Sequence, residues 1–117
     1  MLRNYRDRFD IIADILKIAK KNPKKTRIMY QANLSYKVFK KYLYELLKAD
    51  LILYIEAERC YTLTDKGKEF LFFYSEYYQA NIIVNKKLED VHKRKEILEK
   101  LCDTKDRKSL KNMPIHQ

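Results

Sequence analysis

The sequence predicts a mainly α-helical fold that carries a small β-hairpin and ends in a long helix. Its 117 residues leave room for one domain core, because independent cores usually need on the order of 100 to 200 residues. Apolar residues make up 46% of the chain, yet it has one glycine and two prolines, a composition typical of helical proteins. The scarcity of glycine argues against phosphate-binding loops and dinucleotide-binding fingerprints, which need several glycines.

Two helices are predicted before residue 33. Apolar residues recur at three- and four-residue spacing from about Tyr5 to Lys21, and Asn22-Pro23 ends this first helix. A second helix of barely two turns follows, with Thr26 as its predicted N-cap and Ala32 as its last residue. We expect the broad apolar face of the first helix to supply much of the core.

The third predicted helix has two faces of different chemistry. It follows a tight connection at Asn33-Leu34, has Ser35 as its predicted N-cap and reaches about Ala49. At about 100° per residue, one side is apolar and is made of Val38, Phe39, Tyr42, Leu43, Leu46 and Leu47. The opposite side is almost purely basic and is made of Lys37, Lys40, Lys41, Tyr44 and Lys48. One face is therefore predicted to be core and the other to be exposed.

A short hairpin is predicted between the third and last helices. The runs Leu51 to Glu56 and Cys60 to Thr64 are rich in β-branched, aromatic and aliphatic residues. Thr64 is the predicted N-cap of the last helix, which opens with Asp65 at the positive end of its dipole. Because glycine lowers helix propensity, Gly67 in the first turn indicates the close approach of another backbone.

The last helix carries a heptad pattern with two polar interruptions. The pattern runs through Phe70, Tyr74, Tyr77, Asn81, Val84, Leu88, Val91, Lys95, Leu98 and Cys102. A helix of about 35 residues would extend about 50 Å, so it needs a partner. Antiparallel self-pairing is favoured, because a parallel in-register pair would set Lys95 against Lys95. A helix that folds back within a monomer remains an alternative.

The net charge of +10 points to a polyanionic partner, and most of it lies in one segment. Residues 17–48 contain ten lysines and arginines and a single acid, Glu45. The order of helix, short helix, tight turn, basic-faced helix, hairpin and long helix is that of a winged helix-turn-helix. In that arrangement the second helix of the turn lies in the DNA major groove. The plainer alternative is a basic face that only solubilises the helix.

Several segments resemble a known family. They are Lys24 to Tyr30, Asn33 to Tyr36, Lys40 to Leu43 and Tyr61 to Gly67. Together they resemble the archaeal winged helix-turn-helix proteins typified by the Sulfolobus ten-kilodalton chromatin protein, over roughly residues 6 to 100. The resemblance implies an archaeal DNA-binding dimer, joined through an antiparallel coiled coil and acting in transcription control or chromosome organisation.

The resemblance also implies a set of contact residues. The groove-facing set is Ser35, Tyr36, Lys37, Lys40, Lys41 and Tyr44, with Lys24, Lys25, Thr26 and Arg27 at the DNA backbone and Arg59 as the wing candidate. The wing itself, Glu56 to Arg59, is mildly acidic, unlike the often basic wing of the family. Since lysine lacks the rigid fork of arginine, we expect phosphate-dominated binding with modest sequence preference.

The predicted organisation is a winged helix-turn-helix domain at 5–67, a dimerising coiled-coil helix at 68–102 and a disordered tail at 103–117. The histidines are isolated and the cysteines lack metal-ligand spacing, so we expect no catalytic site, metal or cofactor. Without a membrane-spanning segment or signal peptide, we expect a cytoplasmic, nucleoid-associated protein. An interaction scaffold for an acidic protein and an RNA-binding module remain alternatives.

Overall fold

A computed structural model describes residues 5–104 and confirms the predicted fold class. Its elements in chain order are α1 (Arg8–Ala19), α2 (Lys25–Gln31), α3 (Tyr36–Lys48), β1 (Ile52–Ile55), β2 (Cys60–Leu63) and α4 (Asp65–Leu101). The two strands pair antiparallel, with Ile52 opposite Leu63 and Ile55 opposite Cys60. None of the helices formed by these residues is long and apolar enough to cross a membrane.

Two predicted helix starts are wrong, for a physical reason in each case. α1 begins at Arg8 rather than Tyr5, because Asp7 and Asp10 form a capping box in which each carboxylate accepts from the other's backbone N–H. α2 begins one residue before Thr26, with Lys24 at the N-cap and no side-chain cap hydrogen bond. Pro23 is buried, and its carbonyl accepts the N–H of Tyr61, so β2 holds the chain just before α2.

The predicted start of α3 is confirmed. Ser35 is its N-cap, and its hydroxyl accepts from the N–H of Val38 at 3.4 Å. In a chain so poor in glycine, Asn33 after α2 and Asp50 after α3 take the left-handed conformation, with φ of 55° and 60°. Each of these two helices ends in a Schellman motif, since Leu34 N–H donates to Met29 O and Leu51 N–H donates to Leu46 O.

The junction between the hairpin and α4 is closely packed. The Thr64 hydroxyl donates toward the carbonyls of Asp50 and Leu51, and accepts from the Gly67 N–H at 2.9 Å as the predicted cap. A Cβ on Gly67 would overlap the Leu51 carbonyl oxygen and the side chain of Leu63. The predicted close approach of another backbone at Gly67 is therefore confirmed.

The contacts divide the chain into two units that meet between Tyr78 and Gln79. The core of the first unit is built by α1, α2, α3 and the hairpin, and its largest fully buried side chains are Ile15, Leu16, Ile28, Phe39, Leu46 and Ile52. Val38, predicted to face this core, is instead 37% exposed in the first turn of α3.

The start of α4 belongs to this first unit, beyond the domain boundary predicted at residue 67. Tyr74 is buried, and its hydroxyl donates to the Asp10 carboxylate on α1. The Phe70 ring stacks on Tyr74 and also meets the Phe9 ring. These contacts with α1 explain why the unit extends to Tyr78.

The described part of the second unit, residues 79–104, is the remainder of α4 and a short turn after it. All of its side chains are exposed, including the apolar ones. An ion pair at four-residue spacing, Arg94 with Asp90, lies on its surface, and His92 Nε2 lies 3.7 Å from Glu96 Oε2 at the same spacing. The tail predicted at 103–117 lies, from residue 105 onward, outside the described residues.

Candidate nucleic-acid interface

The exposed face of α3 carries the basic residues that the sequence places there. Amphipathic patterning buries Phe39, Leu43 and Leu46 on the other side of the helix, and this fixes the rotation of α3 about its axis. The predicted set Ser35, Tyr36, Lys37, Lys40, Lys41 and Tyr44, together with Lys48, is exposed. The two tyrosines are 57% and 64% exposed, respectively.

Tyrosine and lysine alternate every four residues along this face. We call Tyr36, Lys40, Tyr44 and Lys48 the tyrosine–lysine stripe. The ammonium of Lys40 lies 5.9 Å from the centre of the Tyr36 ring, and that of Lys48 lies 5.5 Å from the Tyr44 ring. Lys48 also donates to the Tyr44 hydroxyl at 3.4 Å. The stripe thus consists of two tyrosine–lysine pairs, each spanning one helical turn.

The start of α2 lies beside the start of α3. The ammonium of Lys25 sits 5.9 Å from the centre of the same Tyr36 ring that Lys40 contacts. Lys24, Thr26 and Arg27 are exposed along with it. The cations of two helices therefore converge at Tyr36.

Carboxylates are nearly absent from this surface. Glu45 is the one acid of α3, and its Oε1 accepts from Arg8 on α1 at 3.1 Å, so its charge is paired. Lys41 lies over the ring of its neighbour Tyr42. Within residues 5–104, Lys37 has neither a ring nor a carboxylate partner among the contacts of the structure. The surface therefore presents a dense positive charge without internal neutralisation.

Arg6 is a functional candidate that sequence reasoning missed. It precedes α1, and its guanidinium donates to the carbonyls of Ala32 (2.7 Å) and Asn33 (3.0 Å), in the turn between α2 and α3. The same group pairs with Asp14 on α1 at 2.9 Å. Arg6 and Asn33 are far apart in sequence, so no local pattern could have revealed this contact.

The wing carries Arg59 at its tip. Arg59 has a φ of 52°, in the left-handed region, and is exposed together with Glu56 and Glu58. Beside it, burial raises the pKa of the Cys60 thiol, and the hydrogen bond to Glu58 adds to the effect. Among the described residues, no hydrogen bond or ion pair joins Arg59 to the α3 face, so its role stays a prediction.

The predicted dimerisation residues fall into two groups. Tyr74 is buried and Phe70 half-buried against the core of the first unit, with Tyr77 46% exposed and in contact with the Phe9 ring. Phe9, Phe70, Phe73 and Tyr77 line an aromatic groove of about 540 Å³ in this unit. The others, Asn81, Val84, Leu88, Val91, Lys95 and Leu98, are exposed along the second unit.

Comparison with known proteins places this arrangement in a family. A family model described as a winged helix-turn-helix matches residues 5–81. The crystal structure of Sso10a-2, a DNA-binding protein from Sulfolobus solfataricus, has a similar fold, with a TM-score of 0.58 and 26% sequence identity over 85% of this chain and 99% of that chain.

Two uncharacterized proteins of Methanocaldococcus jannaschii are similar in sequence. MJ0290 is 46% identical over 67 residues, which are 56% of this chain and 31% of that protein, so the chain spans about a third of that relative's length. MJ0287 is 37% identical over 86 residues, which are 73% of this chain and 84% of that protein. The similar proteins are archaeal, as the sequence resemblance implies. With its element order, its capped third helix and a family match over most of its length, the chain belongs to the winged helix-turn-helix family.

Proposed function

We propose that this protein binds double-stranded DNA as a homodimer, mainly through phosphate contacts with modest base readout. Its role in the cell would be transcription regulation or chromatin architecture. The observation that carries the proposal is the exposed α3 face, on which four lysines stand with a single carboxylate that is already paired. A similar fold in a protein described as DNA-binding supports the same interpretation.

The phosphate contacts follow from the side chains available. Lysine neutralises phosphates as a point charge and releases condensed counterions when it does so. Lys24, Lys25 and Arg27 at the start of α2 add to the lysines of α3, and Lys25 joins the two groups at the Tyr36 ring. We therefore expect the affinity for duplex DNA to fall steeply as salt rises.

The test is a salt series with a charge-reversal variant. Replacing Lys37, Lys40 and Lys41 by Glu should weaken duplex binding and lower the slope of log affinity against log salt by about three, which is about one unit for each phosphate that is no longer neutralised. The matched control reverses Lys86, Lys93 and Lys100, which are also exposed and are spaced by seven residues on α4. Full affinity in the α3 variant would refute the proposal, as would an equal loss of affinity in both variants.

Self-association is proposed from the exposed heptad positions of α4. Val84 is 52% exposed and Leu88 60% exposed, which is costly for apolar side chains repeated along one helix. An antiparallel pairing of Val84 with Leu88 of a second copy aligns Tyr77 with Lys95 and Asn81 with Val91. The aromatic groove of one copy would then receive the end of the other copy's helix.

A matched pair of variants tests the dimer. Leu88→Asp should give a monomer in light scattering and weaken DNA binding, because the two α3 faces would no longer act together. Ile97→Asp changes a side chain of similar exposure (58%) that lies off the heptad stripe, and it should remain dimeric. A monomeric wild-type protein would contradict this half of the proposal and leave DNA binding standing.

A further inference from the structure

The tyrosine–lysine stripe suggests which residues read the bases. On the exposed face of α3, the described side chains include no Arg, Asn or Gln, so lysine is the residue there that can pair with a base, at guanine. The Lys40 ammonium lies 5.9 Å from the centre of the Tyr36 ring, and the Lys48 ammonium lies 5.5 Å from the centre of the Tyr44 ring, on the side of its hydroxyl. The exposed tyrosine side chains, together with Lys37, remain available to a base.

The geometry of the rings decides what kind of contact they can make. The ammoniums of Lys25 and Lys40 each lie 5.9 Å from the centre of the Tyr36 ring, so this ring is flanked by two cations. Stacking on an unpaired base needs a free ring face. A ring edge, by contrast, can meet the C5-methyl group of thymine, the main apolar feature of the major groove. A tyrosine on a helix in the major groove can therefore contact the duplex by its ring edge without unstacking a base.

We propose that Tyr36 and Tyr44 give the protein a preference for thymine, through contact of their ring edges with thymine methyl groups. The inference rests on the proposed function, with α3 in the major groove. The two tyrosines are two helical turns apart, about 12 Å along the axis. Along a groove with about 3.4 Å per base pair, their contacts fall three to four base pairs apart. The lysines of the stripe, whose ammoniums lie near the rings, would bind the flanking phosphates.

The experiment removes only the methyl group. Binding is measured to a duplex of alternating A·T pairs and to the same duplex with deoxyuridine in place of every thymidine, which leaves the hydrogen-bonding groups and phosphates unchanged. Wild-type protein should bind the thymidine duplex more tightly, by about fourfold for each buried methyl group. Tyr36→Ala and Tyr44→Ala should each reduce this discrimination, and Tyr36→Phe should retain it, because the ring edge is kept.

Two controls separate base contact from other effects. Lys37→Ala should weaken binding to both duplexes equally and lower the salt slope by about one. Tyr30→Ala removes a tyrosine that is 84% exposed on α2, outside the stripe, and should leave the discrimination unchanged. Thermal unfolding of each variant establishes that it is folded.

The outcomes distinguish this inference from the function on which it rests. Equal binding of wild-type protein to both duplexes would overturn the thymine contact and leave DNA binding intact. Discrimination that persists in the Tyr36→Ala and Tyr44→Ala double variant would also overturn it. Binding to neither duplex would instead remove the proposed function. Tighter binding to single-stranded RNA than to either duplex, abolished by removing the tyrosines, would replace groove contact by base stacking.

Discussion

Single side chains far apart in sequence fix the geometry of the helix-turn-helix. Arg6 joins three pieces of chain, since its guanidinium donates to two carbonyls of the α2–α3 turn and to Asp14 on α1. A planar guanidinium can bridge several acceptors at once, which an ammonium cannot do in the same way. The distance between the cations of α2 and those of α3 therefore depends in part on a residue that lies outside every helix.

We expect Arg6→Ala to lower the free energy of unfolding by about 1 to 3 kcal/mol, because it removes charged hydrogen bonds to a half-buried turn. Urea denaturation measures this loss of stability, provided that the variant and the wild-type protein have the same m-value. Arg8→Ala is the matched control: its side chain is 61% exposed, pairs with Glu45 and lies 5.9 Å from the centre of the Phe9 ring, so its effect should stay below about 1 kcal/mol. Equal destabilisation of the two variants would contradict the role assigned to Arg6.

Gly67 illustrates a position that requires the absence of a side chain. A helix-interior Gly→Ala change normally adds about 1 kcal/mol of helix propensity, but here the new Cβ would overlap the Leu51 carbonyl oxygen. We therefore expect Gly67→Ala to destabilise the protein by about 1 to 3 kcal/mol. Thermal unfolding tests this, with the exposed Ser75→Ala in the same helix expected to be nearly neutral. A more stable Gly67→Ala protein would show that the junction can open.

At the scale of elements, left-handed residues form the turns that glycine forms elsewhere. Asn33 and Asp50 tolerate this conformation through their short polar side chains, whereas Arg59 in the wing does not have that tolerance. The wing therefore holds a strained backbone at the position of its one basic residue.

Arg59→Gly should raise the free energy of unfolding by about 1 kcal/mol, because glycine adopts the left-handed region without steric cost. Asn33→Gly, at a nearly identical φ, should raise the free energy of unfolding by less, since Asn already tolerates the left-handed region. The midpoints of chemical denaturation give the comparison. If Asn33→Gly gained as much as Arg59→Gly, strain in the wing would not be the cause.

An element could be predicted from the sequence where the residues that specify it lie close together in the chain. Ser35 and Thr64 cap the helices that follow them, and this was predictable because a cap acts within four residues. The predicted start of α1 was wrong because the helix is capped by Asp7 and Asp10, an acidic pair that a search for apolar periodicity does not detect. The contact of Tyr74 with Asp10 on α1 joins residues far apart in sequence, and periodicity alone cannot tell a core position from a dimer seam.

For the whole molecule, the proposed antiparallel pairing of α4 would set where two copies can be crosslinked. Phe70 would oppose Cys102 of the second copy, so the two Cys102 thiols would lie at opposite ends of the paired helices, about 50 Å apart. A disulfide requires Cα atoms within about 7 Å.

Mild oxidation should therefore give little Cys102-linked dimer, although this cysteine is exposed. Non-reducing electrophoresis measures the crosslinked fraction. The positive control is Val84→Cys with Leu88→Cys in a Cys102→Ser background, which places thiols opposite each other in the proposed register and should crosslink readily. Rapid crosslinking through Cys102 itself would indicate parallel helices.

The exposed tyrosines of α3 also give the protein an optical signal of its own. The chain has ten tyrosines and no tryptophan, so its ultraviolet emission comes from tyrosine alone and is not masked by indole. Tyr36 and Tyr44 contribute to that emission from the face that the lysines occupy. Docking of a polyanion there should alter the fluorescence of unlabelled protein, and substituting those two rings should abolish most of the change.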